Sequence, residues 1–254
     1  MSDKATNTNK NTWDTVAPKY AGRQALPEWG VFGVGQDNVD LLGEIEGKTF
    51  LEIACGSGHS IHYLIQRGAS KVYGLDISHT QIELAAQTNA EAIQSGAVVL
   101  YERPMEDLIP LPELVDTVFS IYGLGWTLDL DKVLRNINTY LKIGGKFVWS
   151  WEHPIFPATE YQDGQFVITQ SYHEEELKKE DNWGTEEGRY IANRKISTWY
   201  NSLRKYGFDV ISILEPEPQK ATEQEQNPER YYSIQKANLM PATIIFECKK
   251  ITSL

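Results

Sequence analysis

The chain predicts an α/β fold: a doubly wound, mostly parallel sheet with helices on both faces. Short apolar runs alternate with stretches of helical periodicity from about residue 48 to residue 151. The first such run ends in the glycine turn "CGSG", as a strand does where it hands over to a helix. At 254 residues and 41% apolar, the chain can bury one large core, so one domain is expected over 1–254.

Each element follows from a local pattern. "KTFLEIA" (48–54) is a short, mostly apolar run of the kind buried on both faces of a parallel sheet. Ile61, Leu64 and Ile65 have helical spacing, and Gly68 sits where a helix ends. "KVYGLD" (71–76) reads as the second strand. Ser78 with Gln81 three residues on forms a capping box, opening a helix expected to run to about Gly96. "AVVLY" (97–101) and "VDTVFSI" (115–121) are the next strands. Leu130, Val133, Leu134, Ile137 and Leu141 share one face of a helix starting near Asp129, and "KFVWSW" (146–151) follows the turn "KIGG". The alternation then stops. Residues from about 152 to 195 are acidic and aromatic, as expected of an insertion, part loop and part irregular cap. Ile196, Trp199, Tyr200 and Leu203 mark a helix closed by Gly207. No helical pattern separates "FDVISIL" (208–214) from "ATIIFEC" (242–248), so these strands can pair antiparallel, with 215–241 expected to be a solvated loop.

Composition excludes several classes. With 35 acids against 24 bases the formal charge is -11, which repels a phosphate backbone and argues against a nucleic-acid partner. No apolar run has bilayer length and the first residues lack a signal-peptide pattern, so no membrane partner and a cytoplasmic location are expected. Cys55 and Cys248 have neither disulfide-framework nor zinc spacing. His59 and His62 are spaced like metal ligands but without a third, so no metal is expected.

In such a sheet, ligands bind outside the carboxyl ends of the strands. Gly56 and Gly58 let bare backbone approach a ligand there. Asp76, 18 residues after Gly58, can accept two hydrogen bonds from vicinal ribose hydroxyls. A dinucleotide fingerprint needs a third glycine where this chain has Ile61. Glu52 would repel a pyrophosphate and suits a ligand with a cationic group, such as an ammonium. The residues therefore favour a nucleoside-bearing ligand that is not a diphosphate, over a NAD-dependent oxidoreductase.

"LEIACGSG", "GLD" ending at Asp76, "VDTVFSIYGL" (115–124), "LKIGGKFVWS" (141–150) and "YGFDV" (206–210) resemble, in order and spacing, the class I S-adenosylmethionine-dependent methyltransferases, especially their small-molecule branch. The resemblance runs from about Trp13 to the last strand. It implies a Rossmann-like seven-stranded sheet with its last strand antiparallel. It also implies S-adenosylmethionine as donor, S-adenosylhomocysteine as product, and in-line transfer of a methyl group to a small-molecule acceptor. A non-catalytic S-adenosylmethionine-binding module is the other reading; oligomeric state is left open.

By position, the resemblance gives Glu52 and the backbone of Ala54, Cys55, Gly56 and Gly58 to the methionine part of the donor, and Asp76 to the ribose. Ile77 would pack on the adenine, with Met105 and Glu106 at its edge, while Ser120 and Ile121 would face the methionine portion. "WDTVAPKY" matches the leading segment that folds over the cofactor, putting Tyr20 near the donor carboxylate. Three departures stand out: Ala54 in place of a glycine, Pro104 in place of an aspartate, and "LGWT" (124–127) in place of "LHH". A general base is needed only if the acceptor begins protonated; His153, just past the fifth strand, is the candidate. Tyr122 and the aromatics Tyr161, Phe166, Tyr172, Trp183, Tyr190 and Trp199 could wall off water and hold a hydrophobic or cationic acceptor.

Overall fold

The computed structural model describes residues 2–21, 27–37 and 39–254. A first helix, α1 (Ser2–Tyr20), precedes a small hairpin of β1 (Glu28–Gly30) and β2 (Val34–Gly35). The alternating region follows as β3 (Thr49–Ile53), α2 (His59–Gln66), β4 (Lys71–Asp76), α3 (His79–Thr88), α4 (Ala90–Gln94), β5 (Val98–Glu102), β6 (Val115–Ile121), α5 (Leu130–Tyr140) and β7 (Leu141–Glu152). The cap holds two hairpins, β8 (Thr159–Gln162) with β9 (Gln165–Ile168) and β10 (Lys178–Glu180) with β11 (Arg189–Ile191). The chain ends with α6 (Ile196–Lys205), β12 (Phe208–Leu214), α7 (Ile234–Ala237) and β13 (Thr243–Lys250).

Seven strands form one sheet in the order β12-β13-β7-β6-β3-β4-β5. Only β13 runs antiparallel to its neighbours, inserted between β12 and β7. This is the Rossmann-like arrangement the resemblance implied. Strand order reverses between β3 and β6, so the crevice for a ligand opens at the carboxyl ends of β3, β4, β6 and β7.

Strand periodicity builds the two core layers. Leu51, Ile53, Val118, Trp149 and Phe246 point to one face and pack with Val133, Leu134 and Ile137 of α5 and Trp199 of α6. Their neighbours Phe50, Phe119, Val148 and Ile245 point to the other and pack with Ile61 and Leu64 of α2 and with Trp29. The cap expected at Ser78 forms, its Oγ accepting from Gln81 N at 3.2 Å, but the capping box stays half-made because Ser78 N donates to Asp76 Oδ1 and not to Gln81; Asp129 also caps its helix, Oδ1 accepting from Lys132 N at 3.1 Å.

The structure corrects four expectations. The helix after Ser78 breaks at Asn89, whose Nδ2 donates to the carbonyls of Gly58 and Ala85, each at 3.0 Å. "KIGG" does not precede a strand but lies inside β7, as a bulge between the pairs Val115↔Leu141 and Thr117↔Lys146. The cap is not wholly irregular, since two short hairpins lie among its loops. Residues 215–241 are not all solvated: Ser233, Lys236 and Ala237 are buried, and the Lys236 ammonium donates to the Thr159 carbonyl at 2.7 Å and lies 3.9 Å from the centre of the Phe156 ring.

Candidate donor and acceptor sites

After β3 the backbone enters the left-handed region three times, at Ala54 (φ 57°), Gly56 (51°) and Gly58 (73°). For Ala54, which stands where the resemblance leads one to expect glycine, this costs on the order of 1 kcal/mol. Gly123 makes room for the extra methyl: a Cβ there would lie 2.5 Å from Ala54 Cβ. The turn is closed by Cys55 N donating to Leu75 O at 3.0 Å, Gly56 N to Asp76 Oδ2 at 2.9 Å and Gly58 N to Cys55 O at 3.0 Å. The two glycines do different work. A Cβ on Gly58 would sit 2.7 Å from Asn89 Nδ2 and 2.9 Å from Ala85 Cβ, so Gly58 admits α3 rather than a ligand. At Gly56 nothing lies nearer than 3.8 Å.

Acceptor oxygens gather around this turn. Glu52 is buried, and its Oε2 has no hydrogen-bond partner among the described residues. Burial raises its pKa well above the ordinary value, a Ser60 hydrogen bond opposes this, and nearby Asp76 adds to it. Asp76 Oδ1 accepts from Ser78 N at 2.9 Å, yet burial still pushes its carboxyl up to about 6. Gln81 Oε1 is likewise buried and unpartnered among the described residues. Such a set fits a ligand bearing an ammonium and hydroxyls, and not a phosphate.

The other predicted donor residues are placed as follows. Ile77 is half-buried beside Asp76, and its carbonyl accepts from Lys10 Nζ at 3.0 Å. Tyr20 ends α1, 43% exposed, with its ring centre 5.6 Å from that of Trp13. Ser120 is fully buried, and its Oγ donates to Ile53 O at 2.8 Å, tying β6 to β3. Ile121 packs into the core with Phe119 and Val148. The carbonyls of Met105 and Glu106 accept from Asn136 Nδ2 at 3.2 and 3.0 Å. The Glu106 carboxylate accepts from Thr127 Oγ1 at 2.9 Å and Leu128 N at 2.8 Å, so it holds the loop after β6.

A family model described as a methyltransferase domain matches residues 51–149, the span that builds this turn and the central strands. A Listeria monocytogenes crystal structure, provisionally described as an S-adenosylmethionine-dependent methyltransferase, is 26% identical with a TM-score of 0.69, covering 83% of this chain and 93% of its own. The chain belongs to the class I S-adenosylmethionine-dependent methyltransferases. An uncharacterized protein of Haemophilus influenzae is 29% identical over 190 residues, 70% of this chain and 74% of its own. A demethylmenaquinone methyltransferase of Lactococcus lactis is 31% identical over 127 residues, 46% of this chain and 47% of its own. Further relatives are named for arginine and ribosomal-protein methylation. This methyltransferase spans 60% or less of the length of these curated relatives with named activities.

On the acceptor side of the methyltransferase, His153 needs correcting. The ring is buried; Nδ1 accepts from Ile155 N at 3.2 Å and Nε2 lies 2.9 Å from Glu215 Oε1. With Nδ1 accepting, Nε2 carries the proton, so neither nitrogen is free to take one from an acceptor. Burial lowers the imidazole pKa, against the pull of Glu215. The group that sequence reasoning missed is its neighbour. Glu152, the last residue of β7, accepts from Tyr231 Oη and Tyr232 Oη, both at 2.7 Å, and burial raises its pKa. The signal was a tyrosine pair inside a connection read as solvated. Tyr122 Oη lies 2.6 Å from Thr243 Oγ1, and its ring is tilted against Trp151 at 5.7 Å. Trp126 of "LGWT" meets Trp13 of α1 and Trp183 of the cap, each at 5.1 Å between ring centres. Among the described residues no group of three or more acids, cysteines or histidines could hold a metal, and no helix is long and apolar enough to cross a membrane.

Proposed function

We propose that this methyltransferase transfers the methyl group of S-adenosylmethionine to a small-molecule acceptor held between the sheet edge and the cap. The observation that carries this reading is the meeting of Trp13, Trp126 and Trp183, which brings α1, the loop after β6 and the cap into mutual contact. An aromatic cluster where three elements meet suits a compact, partly apolar acceptor better than an extended protein surface. The demethylmenaquinone relative supports the same class, while the relatives that act on proteins make a protein acceptor the competing outcome.

Bound S-adenosylmethionine supplies an electrophilic methyl group whose bond to sulfur breaks as the nucleophile attacks. The chain's own residues bind and orient. Glu52 and Gln81 offer unpartnered oxygens to the donor's ammonium, and Asp76 offers its remaining lone pairs to the ribose hydroxyls. Ile77, half-buried beside Asp76, would pack on the adenine. On the other side Glu152 accepts the proton of an O–H or N–H nucleophile, with the two tyrosines steadying its charge. Orientation of this kind can supply about 7 to 11 kcal/mol of the barrier.

Incubating the protein with methyl-tritiated S-adenosylmethionine and a cell extract, then separating low-mass compounds from protein, tests the acceptor class. Label is expected in the low-mass fraction. Label confined to protein would overturn the small-molecule reading, and label in neither would favour a binding module.

A further inference from the structure

The helix α1 divides its side chains between two partners. Lys10 and Asp14, four residues apart and therefore on one face, grip the turn that carries Asp76. Asp14 Oδ1 accepts from Ser78 Oγ at 2.7 Å and from Thr80 N at 3.1 Å; Lys10 Nζ donates to Ile77 O at 3.0 Å and Glu102 Oε1 at 2.9 Å. Asn9, Thr12 and Val16 follow helical spacing along a different face and grip the cap. Asn9 makes both bonds available at Tyr190: its Nδ2 donates to Tyr190 O at 2.9 Å, and Tyr190 N donates to its Oδ1 at 2.8 Å. Thr12 Oγ1 donates to Gly188 O at 2.6 Å, and Val16 packs where a Cβ on Gly184 would lie only 2.7 Å away.

The attachment is mostly polar. The buried apolar residues of α1 are the small Ala5, Val16 and Ala17, while Thr8, Asn9 and Thr12 are buried polar ones. A helix held by individually weak side-chain bonds and one half-buried ring, Trp13 against Trp126 and Trp183, rather than by a broad apolar face, opens as a unit more readily than the core beneath it.

We propose that α1 is a strap that couples donor binding to ordering of the acceptor-side cap. This rests on the reading that the Asp76 turn holds the donor's ribose. Hydroxyls bound by Asp76 order the turn, the ordered turn presents Ser78 and Thr80 to Asp14, and α1 so held presents Asn9 and Thr12 to the hairpin of β10 and β11. By linkage, whatever orders the cap tightens donor binding by the same factor.

Hydrogen–deuterium exchange on the full chain, with S-adenosylhomocysteine as the probe, tests this alongside calorimetric binding. In the wild type the ligand is expected to slow exchange in residues 76–80 and also in residues 183–191. In Asp14→Ala it still binds, about fivefold or more weakly, and protects 76–80 while protection of 183–191 is lost. Asn9→Ala, which leaves the turn contacts intact, is expected to show a fast-exchanging cap with or without ligand. Protection of 76–80 without protection of 183–191 in the wild type, or cap protection that survives Asp14→Ala, would overturn the coupling alone. Failure of the wild type to bind the probe would overturn the donor-site reading, and the coupling with it.

Discussion

Asp76 and Glu52 are two carboxyls buried near the carboxyl ends of the adjacent strands β4 and β3, and their electrostatics make the proposed donor site pH-sensitive. Burial raises the Asp76 carboxyl from an ordinary 3.8 to about 6. The folded, ligand-free protein thus holds a proton that the unfolded chain releases. This contribution to stability is fully present below about pH 4 and is lost as pH rises towards 6, by roughly 3 kcal/mol at most. A ligand that donates hydroxyls to the ionised form reverses the preference. Affinity for S-adenosylhomocysteine is accordingly expected to rise several-fold from pH 5 to pH 7.5, and Asp76→Asn to flatten the profile and weaken binding at neutral pH by ~1 to 3 kcal/mol. Calorimetric titrations across that range check both; a flat wild-type profile would count against ionised Asp76 as the ribose partner. At this scale the sequence was legible where a residue's role depends on its near neighbours, as for the cap Ser78. It was not legible for Ser120, Glu106 and His153, because a polar side chain at a strand end looks the same whether it meets a ligand or satisfies nearby backbone.

Elements are positioned by close approaches that periodicity does not reveal. Gly125 sits so near Trp151 that a Cβ there would fall 1.9 Å from the indole. Gly125→Ala must displace the ring that packs against Tyr122 and Trp126, and is expected to cost about 2 to 3 kcal/mol. Urea unfolding measures the loss and near-ultraviolet circular dichroism the displaced tryptophan; a change under about 0.5 kcal/mol with an unaltered spectrum would show that the contact is loose. The break at Asn89 was hidden for a related reason. Its amide spans from α3 to the carbonyl of Gly58, 31 residues away, and nothing in the 79–94 pattern announces that partner. Likewise Glu152 meets Tyr231 and Tyr232 across 79 and 80 residues, a pairing only the folded chain creates.

For the whole molecule, the sheet order followed from two readable facts: strands and helices alternate up to β7, and no long helix intervenes between β12 and β13. The cap's attachment was less readable, because α1 and residues 183–190 are joined across some 170 to 180 residues of sequence by polar side-chain bonds and the Trp13–Trp183 contact, and no local pattern announces either. The glycine turn, the paired carboxyls and the family membership converge on one claim, that the Asp76 turn is where S-adenosylmethionine binds. Thermal unfolding of the wild type and Asp76→Ala with S-adenosylmethionine, S-adenosylhomocysteine or NAD tests it most directly. At a hundred times its dissociation constant a ligand adds ~2.7 kcal/mol, which raises the midpoint by several degrees. The account predicts that rise for the two adenosyl ligands in the wild type, most of it lost in Asp76→Ala, and no rise with NAD. A shift with NAD, or an adenosyl shift fully retained in Asp76→Ala, would contradict it.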